Sequence, residues 1–421
     1  MKRLLKLRRS SIVIFIIICF CFILPQCINR HNHENNESAI DDTKFQQYAG
    51  SETCAKCHKQ IYDSFITTGH NLTSQQANEK NIKGSLEDGK NIYQYSHELF
   101  MSIEKTDSGV YEVKHQKGTK STIGSIDIII GSGTRGQTYL TWKNNSLFQL
   151  PISYMTPLNQ WVNSPGAGNN LVIYRPVYVR CLECHATYAN RIASGFNGQG
   201  EFARNQIIYG VTCEKCHGPG AKHVEFQTEY PNAKVAKYII NPHTFTRVQS
   251  LNQCRLCHGG KMNPIKPAFS FTAGDTLQNY FHINDSAKGA QMDVHGNQYG
   301  LLAESKCFKN TATLTCVTCH DPHDNERGNV ELFSQRCMTC HNEEHGTFCK
   351  IDPKTIGADN YASIKYNCID CHMPKEKSNV IIMQVNDSSK MEAASLRTHF
   401  IALYPWATKK YLAEKNLKIV Q

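Results

Sequence analysis

The first apolar segment of the chain is a short run that follows a cluster of basic residues. Residues 12–24 are apolar throughout, and five Lys or Arg residues precede them. A bilayer-spanning helix needs about 20 apolar residues, so this run suits the hydrophobic region of an export signal better. The pattern predicts a signal peptide over residues 1–27 and places the rest of the chain outside the cytoplasm.

The signal segment ends in Leu24-Pro25-Gln26-Cys27, which resembles a bacterial lipobox. If these residues act as a lipobox, Cys27 is acylated and becomes the new N-terminus. Gln26 departs from the usual small residue, so an uncleaved anchor and ordinary cleavage are the alternatives. Residues 28–48 are polar and lack periodicity, which predicts a flexible tether. We therefore expect a membrane-anchored lipoprotein, in the periplasm or on the outer surface.

Residues 81–165 contain no Cys and show the pattern of β-strands. Thr106-Asp107-Ser108-Gly109 is a hairpin turn signal between the first two runs. Strand-like runs occur at 100–105, 110–115, 126–130, 138–142 and 147–150. We predict a β-rich insert over about 85–160, in which His97 and His115 are ordinary strand residues.

Residues 166–400 differ from this insert. They have short segments, frequent Gly and Pro, and a Cys pair every few dozen residues. Such a stretch cannot bury an apolar core of ordinary size, so bound cofactors must supply much of it. Residues 49–80 hold the first Cys pair and form a separate segment, and residues 401–421 are a C-terminal tail.

The chemistry of the chain lies in Cys-x-x-Cys-His, which occurs seven times. Two thiols at this spacing reach the vinyl groups of one porphyrin as thioethers, and the adjacent His binds the iron. Structural zinc or disulfides would not explain a His after every second Cys. We predict seven covalently attached haems c, with each His as the proximal ligand. The motifs are Cys54/Cys57/His58, Cys181/Cys184/His185, Cys213/Cys216/His217, Cys254/Cys257/His258, Cys316/Cys319/His320, Cys337/Cys340/His341 and Cys368/Cys371/His372.

Each iron has a second axial position, and histidines outside the motifs are the candidates to fill it. The chain has 19 His, of which seven lie in the motifs. His223 and His323 follow their own motifs too closely to reach the same iron, so a neighbouring iron is the expected target. Surface or hydrogen-bonded histidines are the alternative reading. The distal candidates are His70, His223, His295, His323, His345 and His399.

Two cysteines remain after the motifs and the signal segment are counted. Of 19 Cys, fourteen lie in motifs and three in the signal segment, which leaves Cys307 and Cys349. In an oxidising compartment this predicts a disulfide that brackets the fifth and sixth motifs. Two separate thiols are the alternative.

Neither nucleic acid nor a nicotinamide cofactor is expected. Five of the ten net positive charges lie in the signal segment, haem propionates offset the rest, and no basic run interleaved with aromatics occurs. Residues 131–136 fit Gly-x-Gly-x-x-Gly, but a strand-like run follows them. The acidic residue that the dinucleotide motif requires about 20 residues later is missing. We interpret these residues as a turn between strands.

The surroundings of four motifs are similar to those in multihaem cytochromes of the cytochrome c-552/4 type. The similar stretches are 51–70, 210–223, 315–323 and 367–399. The resemblance covers roughly residues 49–400, although the better-known tetrahaem member from nitrifiers lacks the extra haems and the insert. It implies a fold of mostly helix and loop, with little regular structure around packed haems apart from the β-rich insert. It also implies bis-His irons, with His70, His223, His323 and His399 as distal ligands.

Electron transfer is the function that this sequence favours, because histidines are numerous enough to saturate every iron. The expected partners are a quinol oxidoreductase, other cytochromes or a terminal reductase, reached from a membrane anchor. The alternative is an oxidoreductase that acts on nitrite, hydroxylamine or tetrathionate at one open haem. His185 and His258 belong to motifs with no second ligand nearby in sequence, and no catalytic residue is identified.

Overall fold

The computed structural model describes residues 43–194, 199–283, 296–346, 348–351, 353–385 and 391–415. The predicted signal peptide, the lipidation candidate Cys27, residues 28–42 of the tether and the distal candidate His295 lie outside these residues. Within the described ranges, no helix is both long and apolar enough to cross a membrane.

Sixteen strands form within the described residues. They are β1 (Ser74–Gln76), β2 (Ile92–Ser96), β3 (Leu99–Thr106), β4 (Gly109–Gln116), β5 (Thr119–Ser125), β6 (Ile128–Ile130), β7 (Gly136–Lys143), β8 (Ser146–Met155), β9 (Gln160–Asn163), β10 (Arg175–Pro176), β11 (Ala186–Ser194), β12 (Gly200–Tyr209), β13 (Asn263–Pro264), β14 (Phe281–His282), β15 (Lys375–Gln384) and β16 (Met391–Arg397).

The α-helices are short, and many of them carry a Cys-x-x-Cys-His motif. They are α1 (Ser51–Ala55), α2 (Lys59–Phe65), α3 (Val179–His185), α4 (Cys213–His217), α5 (Ala221–Glu229), α6 (Arg247–His258), α7 (Gln298–Glu304), α8 (Lys306–Asn310), α9 (Val330–Met338), α10 (Pro353–Ile356), α11 (Ala358–Lys365), α12 (Cys368–His372) and α13 (Pro405–Glu414).

Two antiparallel sheets dominate the first half of the described chain. The smaller sheet is the meander β2-β3-β4-β5, and its β3–β4 pair turns at the predicted hairpin, where Thr106 faces Gly109. The larger sheet has the order β1-β6-β7-β8-β12-β11, with β9 and β10 also paired to β8. Its strands come from the first motif segment, from the β-rich region and from the residues that follow the second motif.

The larger sheet lies between two apolar cores, because successive side chains of its strands point to opposite faces. On β6 and β7, Ile129 and Tyr139 enter one core, which also contains Trp161. Ile128 and Leu140 enter the other core, which contains Leu182 from the second motif. The sheet therefore holds the helix of that motif against its second face.

The prediction of a fold that is mostly helix and loop outside the insert was wrong. The structure is about 31% helical and 29% strand, with several antiparallel sheets. Seven of the described strands lie within residues 166–400, and four of them, β11, β12, β15 and β16, have seven residues or more. Frequent Gly and Pro suggested loops there, but in β11 the first five residues are all buried, so the alternation that signals a half-exposed strand is absent.

The Gly-rich residues 131–135 connect β6 to β7, as the turn interpretation predicted. Gly131 and Gly133 adopt φ angles of 104° and 80°, a region that residues with a side chain rarely occupy. The strand β7 begins directly at Gly136.

Leu147→Ala tests the core between the sheet and the second motif. Leu147 is fully buried, so its truncation should lower the free energy of unfolding by roughly 2–5 kcal/mol. Denaturant unfolding of the intact protein, followed by circular dichroism, measures the change. Thr122→Ala on the exposed edge of β5 is the control; equal unfolding midpoints for both variants would contradict this assignment of the core.

Candidate haem sites

Each Cys-x-x-Cys-His motif forms about one helical turn. In the first motif the His58 amide donates to the carbonyl of Cys54 at 2.8 Å. The His320 and His341 amides make the same bond, at 3.0 Å, to the first Cys of their motifs. A bond from residue i to residue i−4 closes one turn, so both thiols and the imidazole project from one short element, as attachment to a single porphyrin requires.

Three motif histidines lie opposite a histidine from a distant part of the chain. In each case the partner is one of the predicted distal ligands. The ring centroids are separated by 6.1 Å for His258 and His70, 6.0 Å for His217 and His323, and 6.2 Å for His320 and His399.

This separation fits a metal ion bound between the two rings. Metal–imidazole bonds are about 2 Å long, so an iron bound on both sides holds the ring centroids about 6 Å apart. Direct stacking of the rings would bring them closer. His70, which follows the first motif, faces His258 of the fourth, so the partner could not be read from sequence proximity.

Several histidines have one ring nitrogen fixed by a backbone carbonyl. The Nδ1 atoms of His217, His223 and His372 each lie 2.9 Å from a carbonyl oxygen, of Ile240, Lys237 and Ala402 respectively. When Nδ1–H donates to a carbonyl, the lone pair on Nε2 is left free to bind a metal. Metal-ligating histidines use this arrangement.

The buried histidines are held in the neutral form that binds metal. Burial, and then the neighbouring rings of His258 and His320, lower the pKa of His70 to about 4. Burial and the His320 ring lower the pKa of His399 to about 4 as well. A protonated imidazole has no lone pair for iron, so a low pKa keeps these side chains competent as ligands.

Interactions at the motifs join all seven into one branched network. Gln253 donates to Cys216 Sγ at 3.7 Å and links the third motif to the fourth. Cys340 of the sixth motif raises the pKa of Cys319 in the fifth. In the remaining links one thiol shifts the pKa of the other: Cys54 and Cys213, Cys184 and Cys257, Cys254 and Cys316, and Cys337 and Cys368. These contacts make each motif the neighbour of at least one other.

Cys57, the second cysteine of the first motif, does not share the sheltered position of most motif cysteines. Its side chain is exposed, as are those of Cys181 and Cys340. The physical reason is local, because α1 ends at Ala55 and Cys57 lies on the open turn that leads into α2. The first motif is therefore linked to the third through Cys54 and Cys213, while Cys57 faces solvent. A thioether at Cys57 stays a prediction from the motif, and an attached porphyrin would cover this thiol.

Carboxylates inside two motifs tie these turns to the rest of the chain, a role that motif spacing alone did not indicate. Glu214, between the cysteines of the third motif, accepts from the amides of Ala49, Gly50 and Gly220 at 2.7–3.0 Å. It fixes the start of the first motif segment against the third motif. In the second motif, Glu183 accepts from Arg180 at 2.6 Å and from the Phe269 amide at 2.7 Å.

An open groove of about 1000 Å³ runs along α5 and the turn that follows it. Tyr230 and Tyr238 line it and are 50% and 62% exposed. The volume is ample for a porphyrin-sized group. His223 lies beside this groove, with its Nδ1 bound to Lys237.

The other predicted residues take different positions. His345 lies on a turn where its Nδ1 is 2.8 Å from Asn342 Oδ1. Cys307 and Cys349 are separate thiols: Cys307 lies near Cys340 of the sixth motif and Cys349 near Cys371 of the seventh. The two cysteines are not bonded to each other in this structure, and the predicted disulfide stays a prediction.

Comparison with known proteins agrees with this arrangement. The family model for cytochrome c554 and c-prime matches residues 172–218, which hold the second and third motifs. The C-type polyheme cytochrome OmcC of Geobacter sulfurreducens is 25% identical over 177 residues, or 39% of this chain and 20% of OmcC. The chain thus spans only about a fifth of the length of that relative.

A solved structure extends the likeness to most of the fold. The crystal structure of the outer cell wall cytochrome OcwA superposes with a TM-score of 0.56 over 89% of this chain and 83% of OcwA, at 16% sequence identity. Together with the repeated motif, these findings show similarity to multihaem c-type cytochromes and support covalently attached haem c.

His399→Ala tests the pairing of His399 with His320. Loss of one imidazole should convert one low-spin iron into a high-spin, five-coordinate iron, because the segment itself stays bonded through the His399 carbonyl and Ser305 Oγ. Ferric EPR measures the change. His115→Ala is the control, since His115 bonds to Ser102 within the small sheet. An unchanged low-spin spectrum in the His399 variant would refute the pairing.

Glu214→Ala should destabilise the junction of the first and third motifs. Hydrogen bonds to a charged group contribute about 1.5–3 kcal/mol each, so losing this acceptor should cost at least roughly 3 kcal/mol. Unfolding of the haem-loaded protein measures the cost. The free energy of unfolding of Glu214→Gln, which retains one acceptor oxygen, should lie between those of the parent and Glu214→Ala. Glu52→Ala, at an exposed position on α1, is the control. Equal unfolding midpoints for Glu214→Ala and Glu52→Ala would contradict the proposed role of Glu214.

Proposed function

We propose that this chain carries seven haems and conducts electrons along them outside the cytoplasm. The observation that carries the proposal is the connected network of interactions among the motifs. Attachment would replace the thiols by thioethers, but the motifs themselves would stay adjacent and bring their porphyrins close together. Electrons entering at one haem would then reach every other haem through short steps.

The histidine pairs favour conduction over catalysis. An iron with an imidazole on both faces has no position for a substrate, so it can exchange electrons but not bind nitrite or hydroxylamine. His258 was one of two candidates for an open iron, and it faces His70. The chain's own residues thus supply what a conduit needs: fixed irons, defined imidazole orientation and burial that sets each potential.

An extracytoplasmic position completes the proposal. It is supported by the basic and apolar N-terminus and by the lipobox-like residues that end at Cys27. The structural neighbour OcwA is described as an outer cell wall cytochrome. We place this chain at a membrane surface through a lipid on Cys27, where the part of the tether before Lys44 would let it reach a quinol oxidoreductase, another cytochrome or a terminal reductase. Phe45 and Tyr48, at the end of the predicted tether, pack against the core beside the larger sheet.

Intact-mass analysis tests the number of haems. The full chain, produced together with a haem-attachment system, should gain the mass of seven haems, since seven motifs each provide two thiols. A variant with both cysteines of the seventh motif replaced, Cys368→Ala with Cys371→Ala, should gain six. A mass that shows fewer groups in the parent chain, or bound zinc, would contradict the proposal.

Spectroscopy of the same material separates conduction from catalysis. If both axial positions of each iron are filled, as a conduit requires, ferric EPR should show low-spin signals alone, and the dithionite-reduced protein should not bind CO. A high-spin component that changes with nitrite, hydroxylamine or tetrathionate would instead support an oxidoreductase with one open haem.

A further inference from the structure

The Gly-rich turn at residues 131–136 packs against the segment that carries His70. The Gly131 amide donates to the Thr73 carbonyl at 2.7 Å. A Cβ placed on Gly69 would lie 3.9 Å from Ser132 Oγ and 3.7 Å from Arg327 Nη2. The turn, the residue before His70 and the Arg327 side chain therefore meet at one place.

Positive charge accumulates at this place. Arg135 lies on the turn, and its side chain is exposed, as are those of Arg327 and Lys83. Partial burial and the charges of Arg327 and Arg397 lower the pKa of Arg135. The Lys83 side chain also lies over Gly133, since a Cβ there would come within 2.8 Å of Lys83 Cγ. Like charges repel one another, so an anion bound among these cations would be stabilised.

Only part of this charge is balanced within the residues that the structure describes. Arg397 pairs with Asp370 at 2.7 Å and donates to the carbonyls of Ile369 and Met373. No carboxylate of the described residues forms an ion pair with Arg135 or Arg327. The two guanidinium groups thus keep their donors for a ligand.

We propose that Arg135 and Arg327, with Lys83 and Arg397 beside them, form an oxyanion-binding site next to His70. A guanidinium presents two parallel N–H donors that match the two oxygens of a carboxylate or another oxyanion. A Cβ at residue 131 would collide with the Gly136 carbonyl, and one at residue 133 would collide with the Lys83 side chain, so glycines let the turn close tightly. The Gly-x-Gly-x-x-Gly pattern thus serves to place Arg135.

Two sources can supply such an oxyanion. One is a propionate of the haem held between His258 and His70, and this source rests on the proposed function. The other is a free oxyanion taken from solution. In both cases the anion would lie near His70, so the charge at Arg135 and Arg327 should influence the potential of the haem that His70 ligates.

The test is a potentiometric titration of the haem-loaded full chain, followed by visible spectra, for Arg135→Gln and Arg327→Gln. Loss of one cation beside the haem should disfavour the reduced form of one haem by about tenfold in its reduction equilibrium constant, or about 59 mV for a one-electron couple. Arg135→Lys should restore most of the parent value. Arg191→Gln is the control, because Arg191 bonds only within its own strand region, to Ala193 and Ser194.

Added sulfate, at constant ionic strength, separates the two sources. If propionate is the ligand, sulfate leaves the parent titration unchanged while the Gln variants are shifted. If the site takes a free oxyanion, sulfate lowers one potential of the parent with saturation, and the Gln variants lose that response. Variants that carry the full haem mass and titrate like the parent with and without sulfate would overturn the site. A missing haem mass would instead count against the proposed function.

Discussion

The approach of two histidine rings from distant parts of the chain, at a spacing that fits one iron between them, is the constraint on which the motif region depends. His258 is paired with His70, His217 with His323 and His320 with His399. The buried apolar clusters are large beside the sheets and small among the motifs. Between the motifs, iron–nitrogen bonds would therefore carry much of the cohesion that an apolar core provides elsewhere.

The sheets are part of the haem-binding framework and not an appendage to it. Leu182 anchors the second motif in the core under the larger sheet. Thr73, one residue before β1, places its hydroxyl 2.9 Å from His185 Nδ1, so the edge of the sheet also orients a motif imidazole. Rigid strands can hold ligands more reproducibly than loops can, which explains why a protein rich in haem retains so much regular structure.

Local chemistry was predictable from the sequence, whereas long-range pairing was not. The Cys-x-x-Cys-His turns, the hairpin at Thr106–Gly109 and the turn at 131–136 follow from residues that are adjacent in the chain. The partner of His70 depends on how distant segments cross, and no local pattern encodes that. The strands β11, β12, β15 and β16 were missed because burial on both faces or irregular pairing removed the alternation. Glu183 and Glu214 occupy motif positions that any residue can fill, so their contacts became evident only in the structure.

The order of the two paired histidines along the chain has a consequence for how the protein would mature. A chain exported from its N-terminus presents His70 before His258, so the fourth haem would meet its second imidazole as soon as it is attached. His217 and His320 precede His323 and His399, so their haems would wait with one face open until later residues emerge. Assembly of the electron path would thus be completed only by the C-terminal part of the chain.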